Sequence, residues 1–253
     1  MAPQRRVRVE HIMGTAISLD LRMPWVDEGV VDEFFDWLRS LDDRFSTYKD
    51  GSVVSRLRRR EINLSEAEVD VLEVLELCER VRLASSGVFD VWAHDPAGLD
   101  PSGLVKGWSI DRGAEILRRA GARNFCINAG GDVLVAGEAT FGKAWRVGIR
   151  HPLVGESVAK VVSVRDLAVA TSGAYERGTH IANPTSPGSP AELLSLTVVG
   201  PGLTLTDGFA TAAFAMGEAG ISWVAAQPGY GVCAITRQGR TVWDARFGDL
   251  IAG

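Results

Sequence analysis

The stretch Asn124–Gly137, "NFCINAGGDVLVAG", decides the fold class. Two short apolar runs, "NFCIN" and "DVLVAG", flank a pair of glycines, and runs of this length rich in Val, Ile and Phe read as strands. A dinucleotide-binding fingerprint needs its glycines between a strand and a helix. Here "NAGGDV" (Asn128 to Val133) lies between two strands, so that reading fails. Two readings of the glycines stay open: a tight turn that needs positive φ, or backbone that a ligand approaches closely because no Cβ intervenes.

Working outward, "WRVGIR", "AKVVSV", "LAVAT" and "LLSLTVVG" continue as strands, and "GVCAIT" with "TVWDAR" reads as a closing hairpin. Upstream, "VRVEHIMGTAISLDLRM" reads as two strands broken around Met13-Gly14. From Asp27 the apolar positions Val30, Val31, Phe34, Phe35, Leu38 and Leu41 follow a helical period. Ser65 and Glu68 have the spacing of a capping box. The helix they open carries Leu72, Leu75, Cys78 and Arg82, and Gly87 stops it. A third helix is predicted from about Trp108 to Ala120, and a fourth in "TDGFATAAFAMG" (Thr206 to Gly217). Strands and helices do not alternate strictly, so the class is α+β with largely antiparallel sheets. At 253 residues the chain fits one large domain or two intimate halves.

Twenty-seven Lys and Arg against 32 Asp and Glu give a net charge of −5, which argues against a nucleic-acid partner. The run "RLRRR" (Arg56 to Arg60) reads as a solvated turn. Cys78, Cys126 and Cys233 form no CxxC pair and sit in apolar contexts, so buried free thiols in a reducing compartment are expected. The N-terminus shows neither an apolar signal region nor a lipobox cysteine, and no apolar run approaches the roughly 18 residues of a membrane span. A cytoplasmic protein with no membrane anchor of its own is the expectation.

No P-loop, HExxH, zinc spacing or Ser-His-Asp context is present. "DPSGLVKGWSID" (Asp100 to Asp111) places Asp100 and Lys106 about a small-residue turn leading into the helix at Trp108. Backbone amides at a helix start beside a lysine suit a polyphosphate, although a loop with a surface lysine reads equally well. "GTHIANPTSPG" puts His180 beside an apolar residue, as a structural histidine or a general base. Asp207 and Thr211 are four residues apart, on one face of a helix. Singly, Asp207 could complement the helix dipole and Thr211 back-bond to its own helix. Together they offer the hard oxygens that Mg²⁺ prefers when phosphates complete its shell.

These pieces occur in a family's order. The sequence resembles the ApbE-like flavin transferases along nearly its whole length. The resemblance is carried by "MGT" (Met13 to Thr15), "FSTYKDGSVVSRL" (Phe45 to Leu57), "SGVFDV" (Ser86 to Val91) and "DPSGLVKGWSID". It continues through "NAGGDV", "VATSGAYER" (Val169 to Arg177), "HIANPTSPG" and "TDGFATAAFAMG". It implies an ApbE-like (T-fold-like) architecture over residues 1–253, with mixed and largely antiparallel sheets and packed helices, as a single domain or as two intimate halves with the site between them. It also implies transfer of FMN from FAD to a Thr or Ser of an acceptor protein, with release of AMP. Asp207, Thr211 and the carbonyl of Gly103 are then the Mg²⁺ ligands. Met13, Tyr48, Val88, Phe89, Asp90, Asp100, Lys106 and Ile181 contact the flavin nucleotide, and His180 deprotonates the acceptor hydroxyl.

The chain departs from the family pattern in places. "IANPTSPG" has Asn183 where an aspartate is usual, Arg58 stands where asparagine is usual, and Thr206 replaces an alanine. Two alternatives share the same residues: an Mg²⁺-dependent FAD pyrophosphatase, and a flavin binder without turnover. "SGA" at Ser172 to Ala174 partly matches an acceptor motif, but Val169 and Tyr175 occupy its outer positions. That stretch reads as a site loop.

Overall fold

A computed structural model describes residues 5–23, 27–93, 98–154, 157–173 and 192–253. Strands β1 (Arg5–Ile12) and β2 (Thr15–Arg22) form a hairpin around Met13 and Gly14, whose φ angles are 54° and 71°. Helix α1 (Glu28–Phe45) follows, capped by Asp27, whose side chain accepts from the Gly29 amide. It buries Val31, Phe34, Phe35, Leu38, Leu41 and Phe45, the face its period predicts. Then come α2 (Val53–Arg58), α3 (Val69–Ala84) and α4 (Ser102–Arg119). Strands β3 (Phe125–Ala129), β4 (Asp132–Ala136), β5 (Trp145–Arg150), β6 (Val158–Val164), β7 (Ala168–Gly173) and β8 (Leu193–Gly200) lead to α5 (Leu203–Ala215) and α6 (Glu218–Ala225). The chain closes with β9 (Gly231–Thr236), β10 (Thr241–Trp243) and α7 (Ala245–Leu250).

One eight-stranded sheet runs in the order β1-β2-β3-β4-β7-β8-β9-β10, and every described pairing within it is antiparallel. The pair β5–β6 stands apart as its own two-stranded sheet. The opening stretch is the β3–β4 hairpin. Its register runs from Phe125 opposite Ala136 to Ala129 opposite Asp132, leaving Gly130 and Gly131 as a two-residue turn. Their φ angles of 63° and 102° are the positive values such a turn demands. A side chain at Gly130 would also strike Thr15, with its Cβ 2.4 Å from the hydroxyl oxygen.

Period-2 alternation divides the core by face. Leu134, Ala168, Ala170, Val198, Val232 and Ala234 pack with Phe34, Phe35, Ile110 and Leu117 of α1 and α4. Val133, Val135, Val169, Val199 and Cys233 face the opposite way, against Trp145, Val147, Ile149 and Val162 of β5–β6 and Phe247 of α7. A third cluster lies among helices, joining Leu41 and Phe45, Val74 and Cys78, Leu104 and Trp108, and Phe209 and Ala212. Each large side chain buried in these layers contributes roughly 1.5–3 kcal/mol.

Several boundaries differ from the sequence reading. Helix α4 starts at Ser102 rather than near Trp108, so Lys106 lies inside the helix. The propensity cost of Gly103 and Gly107 is outweighed by the close packing they permit. The capping box is formed by Asn63 and Glu66, at a 3₁₀ turn over Leu64–Glu66, and α3 begins only at Val69. Helix α5 begins at Leu203, ahead of the expected Thr206. The run "TVWDAR" leaves the strand after Trp243 because the Asp244 side chain caps α7, accepting from the Phe247 amide at 3.0 Å. Helices α2, α6 and α7 were not anticipated. The "RLRRR" run is partly helical rather than a turn, with Arg58 half-buried and donating to the Thr47 carbonyl at 3.3 Å.

Candidate functional site

Helices α4 and α5 cross on the helical side of the sheet, and their contact is set by glycine. A Cβ on Gly107 would lie 2.5 Å from the Leu203 carbonyl oxygen and 3.1 Å from the Asp207 Cβ, so only glycine lets the backbones approach this far. Asp111, one turn further along α4, locks the start of α5. Its carboxylate accepts from the Leu203 amide at 2.9 Å and the Thr204 amide at 2.8 Å, and from the Thr204 hydroxyl. These bonds satisfy the open amides of the first turn of α5 and complement its dipole. Asp207 therefore begins the second turn, and the dipole-complementing role that the sequence left open for it falls to Asp111.

Three charged groups meet at this crossing. The Lys106 ammonium is in direct contact with Asp132 and lies 3.4 Å from an Asp207 carboxylate oxygen. The Asp132 and Asp207 side chains are only 3% and 8% exposed, so both charges are held away from bulk water. Asp132 is anchored from behind by the Thr171 amide, which donates to its second oxygen at 3.0 Å. Among these three groups, two carboxylates against one ammonium sum formally to one negative charge. Buried carboxylates cost several kcal/mol unless paired, and a cation or a set of hydrogen bonds must meet them.

Four residues beyond Asp207, Thr211 shares its helix face. A Cβ built on Gly103 would come 3.2 Å from the Phe89 ring, 3.4 Å from the Thr211 methyl and 3.7 Å from its hydroxyl. Gly103, Phe89 and Thr211 thus converge, one turn from Lys106 and Asp207. The oxygens here, a carboxylate, a hydroxyl and helix-start carbonyls, are of the hard kind that could hold Mg²⁺. Among the described residues no three His, Cys, Asp or Glu side chains gather as a metal site.

The other expected residues border this crossing to differing degrees. The Met13 sulfur accepts from the Ser109 hydroxyl at 3.8 Å, tying the β1–β2 turn to α4. Asp100, just ahead of the N-cap Pro101, accepts from the Ser102 amide at 3.0 Å, while its own amide donates to the Val91 carbonyl at 2.7 Å. That second bond joins the start of α4 to the Val88–Asp90 segment, in which Phe89 is buried and Asp90 accepts from the Trp92 amide at 2.8 Å. Tyr48 is 95% exposed, with its amide donating to the Ser46 hydroxyl oxygen, and among the described residues no side-chain hydrogen bond ties it to the crossing. His180 and Ile181 lie outside the described residues, as does Asn183. Ser172 is buried within β7, opposite Leu196. Asp132, within "NAGGDV", is not among the site residues the sequence singles out. The available signal was a carboxylate directly after a glycine turn, at the first position of an otherwise apolar strand.

The ApbE family model matches residues 13–96 and 91–234. The FAD:protein FMN transferase of Vibrio cholerae is 34% identical over 131 residues, which is 47% of this chain and 39% of that protein. That of Haemophilus influenzae is 24% identical over an alignment of 288 residues, 86% of this chain and 83% of that protein. The chain therefore spans less than half of the first relative and most of the second. Among solved structures, the flavinyl transferase ApbE of Pseudomonas stutzeri in its apo form superposes with a TM-score of 0.87 at 21% identity, covering 100% of this chain and 99% of that one. The flavin transferase ApbE of Vibrio cholerae gives 0.84 at 22% identity, covering 98% and 99%. The family model takes in the β1–β2 turn, the α4–α5 crossing and the β3–β4 hairpin together, and the chain belongs to the ApbE family.

Proposed function

We propose that this chain transfers FMN from FAD to a Thr or Ser hydroxyl of an acceptor protein and releases AMP. The observation that carries this reading is the α4–α5 crossing, where Lys106, Asp207, Thr211 and Gly103 are brought together by glycine-mediated packing. Family membership and the names of its relatives support the chemistry. Asp207, the Thr211 hydroxyl and the Gly103 carbonyl would hold Mg²⁺. Bound there, the ion would offset the negative charge of the FAD diphosphate, which otherwise repels a nucleophile.

The chain's own groups do the rest. Lys106 presents a second positive charge to the diphosphate. Phe89 and Met13 border the crossing with the apolar and polarisable surface suited to the flavin nucleotide. Asp100 holds the start of α4 so that its amides remain oriented. His180 takes the proton of the acceptor hydroxyl, a poor nucleophile until deprotonated. The hydroxyl oxygen forms a phosphoester to the FMN phosphorus, the anhydride bond breaks, and AMP leaves with the bridging oxygen.

The deciding experiment measures AMP release from FAD, with and without Mg²⁺, in the presence of an acceptor fragment bearing the Thr motif. AMP matched by protein-bound flavin is expected. AMP matched by free FMN would make the protein a pyrophosphatase, and bound FAD without AMP would make it a flavin binder. Asp207→Ala should lower Mg²⁺-dependent AMP release by about 10²–10³-fold or more, the scale of losing a preorganised electrostatic group. Retained Mg²⁺ dependence in that variant would remove Asp207 from the metal site.

A further inference from the structure

We infer that Asp132 is a positioning residue, whose task is to keep the Lys106 ammonium from neutralising Asp207. The inference rests on the metal reading of Asp207 given above. A lysine carries its charge on a flexible four-carbon stem and settles on the strongest anion within reach. Two buried carboxylates compete for this one. The ammonium is in direct contact with Asp132 and forms a longer ion pair with Asp207 at 3.4 Å, beyond the usual hydrogen-bond distance.

The fold explains why Asp132 holds the ammonium. The β4–β7 ladder runs only from Leu134 opposite Ala168 to Val133 opposite Val169. Two residues beyond Val169, the Thr171 amide turns to the Asp132 side chain instead of a backbone partner on β4, donating at 3.0 Å. Asp132 is therefore fixed at both oxygens, by a backbone amide on one and Lys106 on the other. The Gly130–Gly131 turn places it at the first residue of β4, on the side of the sheet that faces α4. With the ammonium held on Asp132, Asp207 is not drawn into close contact with it, and Lys106 stays beside the crossing for a phosphate. Without Asp132 the ammonium would move onto Asp207 and compete with the metal for it.

The test is a double-mutant cycle on metal affinity, with Mn²⁺ alone as probe and free Mn²⁺ read by electron paramagnetic resonance. Asp132→Asn preserves an oxygen that can accept from the Thr171 amide but presents no charge to Lys106. With Lys106 present, this substitution should weaken Mn²⁺ binding about tenfold. In the Lys106→Met background no ammonium is available to move, and the same substitution should cost less than about threefold. An equal loss in both backgrounds would overturn the inference, since it would mark a simple loss of negative charge. Near-ultraviolet circular dichroism of each variant separates these outcomes from misfolding, and Asp132→Glu, which restores the charge, should recover at least part of the affinity. If the unaltered protein binds Mn²⁺ and Asp132→Asn binds it equally well, the positioning role falls while the metal site stands. If the unaltered protein binds no Mn²⁺, and Asp207→Ala changes nothing, both fall together.

Discussion

The two faces of the eight-stranded sheet are built from the same alternating strands, yet they serve different ends. On the hairpin side, β5–β6 and α7 cover Val133, Val135, Val169 and Val199 with Trp145, Val147, Ile149, Val162 and Phe247. Polar groups there close on one another, as when the Thr171 and Thr197 hydroxyls meet at 2.9 Å. On the helical side, the buried charges of Asp132 and Asp207 both lie against the Lys106 ammonium. The difference teaches where this fold places chemistry. The hairpin layer supplies a dry backing for the sheet, and on the opposite face β4 presents the charge of Asp132 to the α4–α5 crossing, where Lys106 and Asp207 lie.

Substitutions at the crossing test this contrast most severely. Gly107→Ala adds a Cβ that would fall 2.5 Å from a backbone carbonyl, so α4 and α5 must part. Overpacking of this kind costs about 1–3 kcal/mol, and a displacement of about 1 Å can cost 10²-fold in rate. The variant should thus lose activity well below its melting temperature. Activity retained in full at 25 °C would show that the crossing tolerates separation.

A hairpin-side cavity should behave oppositely. Ile149→Ala empties a buried site, at about 2–5 kcal/mol. Its signature should be a lowered Tm with kcat/KM unchanged in the folded protein. A fall in kcat/KM without loss of Tm would join the two faces functionally.

The smallest effect concerns what both faces share, which is exclusion of water. Burial pushes the thiols of Cys78, Cys126 and Cys233 up to about 12 from an ordinary 9.0, aided at Cys78 by the charge of Asp100 and at Cys126 by that of Asp20. Iodoacetamide at pH 8.5 should therefore label the folded protein much more slowly than the unfolded chain. The linkage has a definite sign. The unfolded chain releases these protons first, so the stability present below pH 9 should decline as pH rises from 9 towards 12. Rapid labelling of Cys78 alone would show the helical cluster to be the wetter of the two, and labelling of Cys233 alone would point to the hairpin side.

Much of this architecture is fixed by local sequence. The spacing of Val31, Phe34, Phe35, Leu38 and Leu41 makes α1 amphipathic whatever it packs against, and alternating apolar runs around Gly130–Gly131 specify a hairpin because only glycine readily supplies both positive φ angles. The α+β class and the ordered motifs of the ApbE family follow from such short-range patterns. The helix starts at Ser102 and Leu203 were not legible, because glycines and threonines weaken local helix propensity and the helices are stabilised by packing against each other. Nor could the sequence reveal that Asp132, 26 residues after Lys106, would meet its ammonium, or that Asp111 would cap a helix 92 residues away. Residue types and periodicity act over a few positions along the chain. The pairing of one lysine with two buried carboxylates depends on Coulomb interactions across a few ångströms of space, and the tertiary fold alone decides which charges come that close.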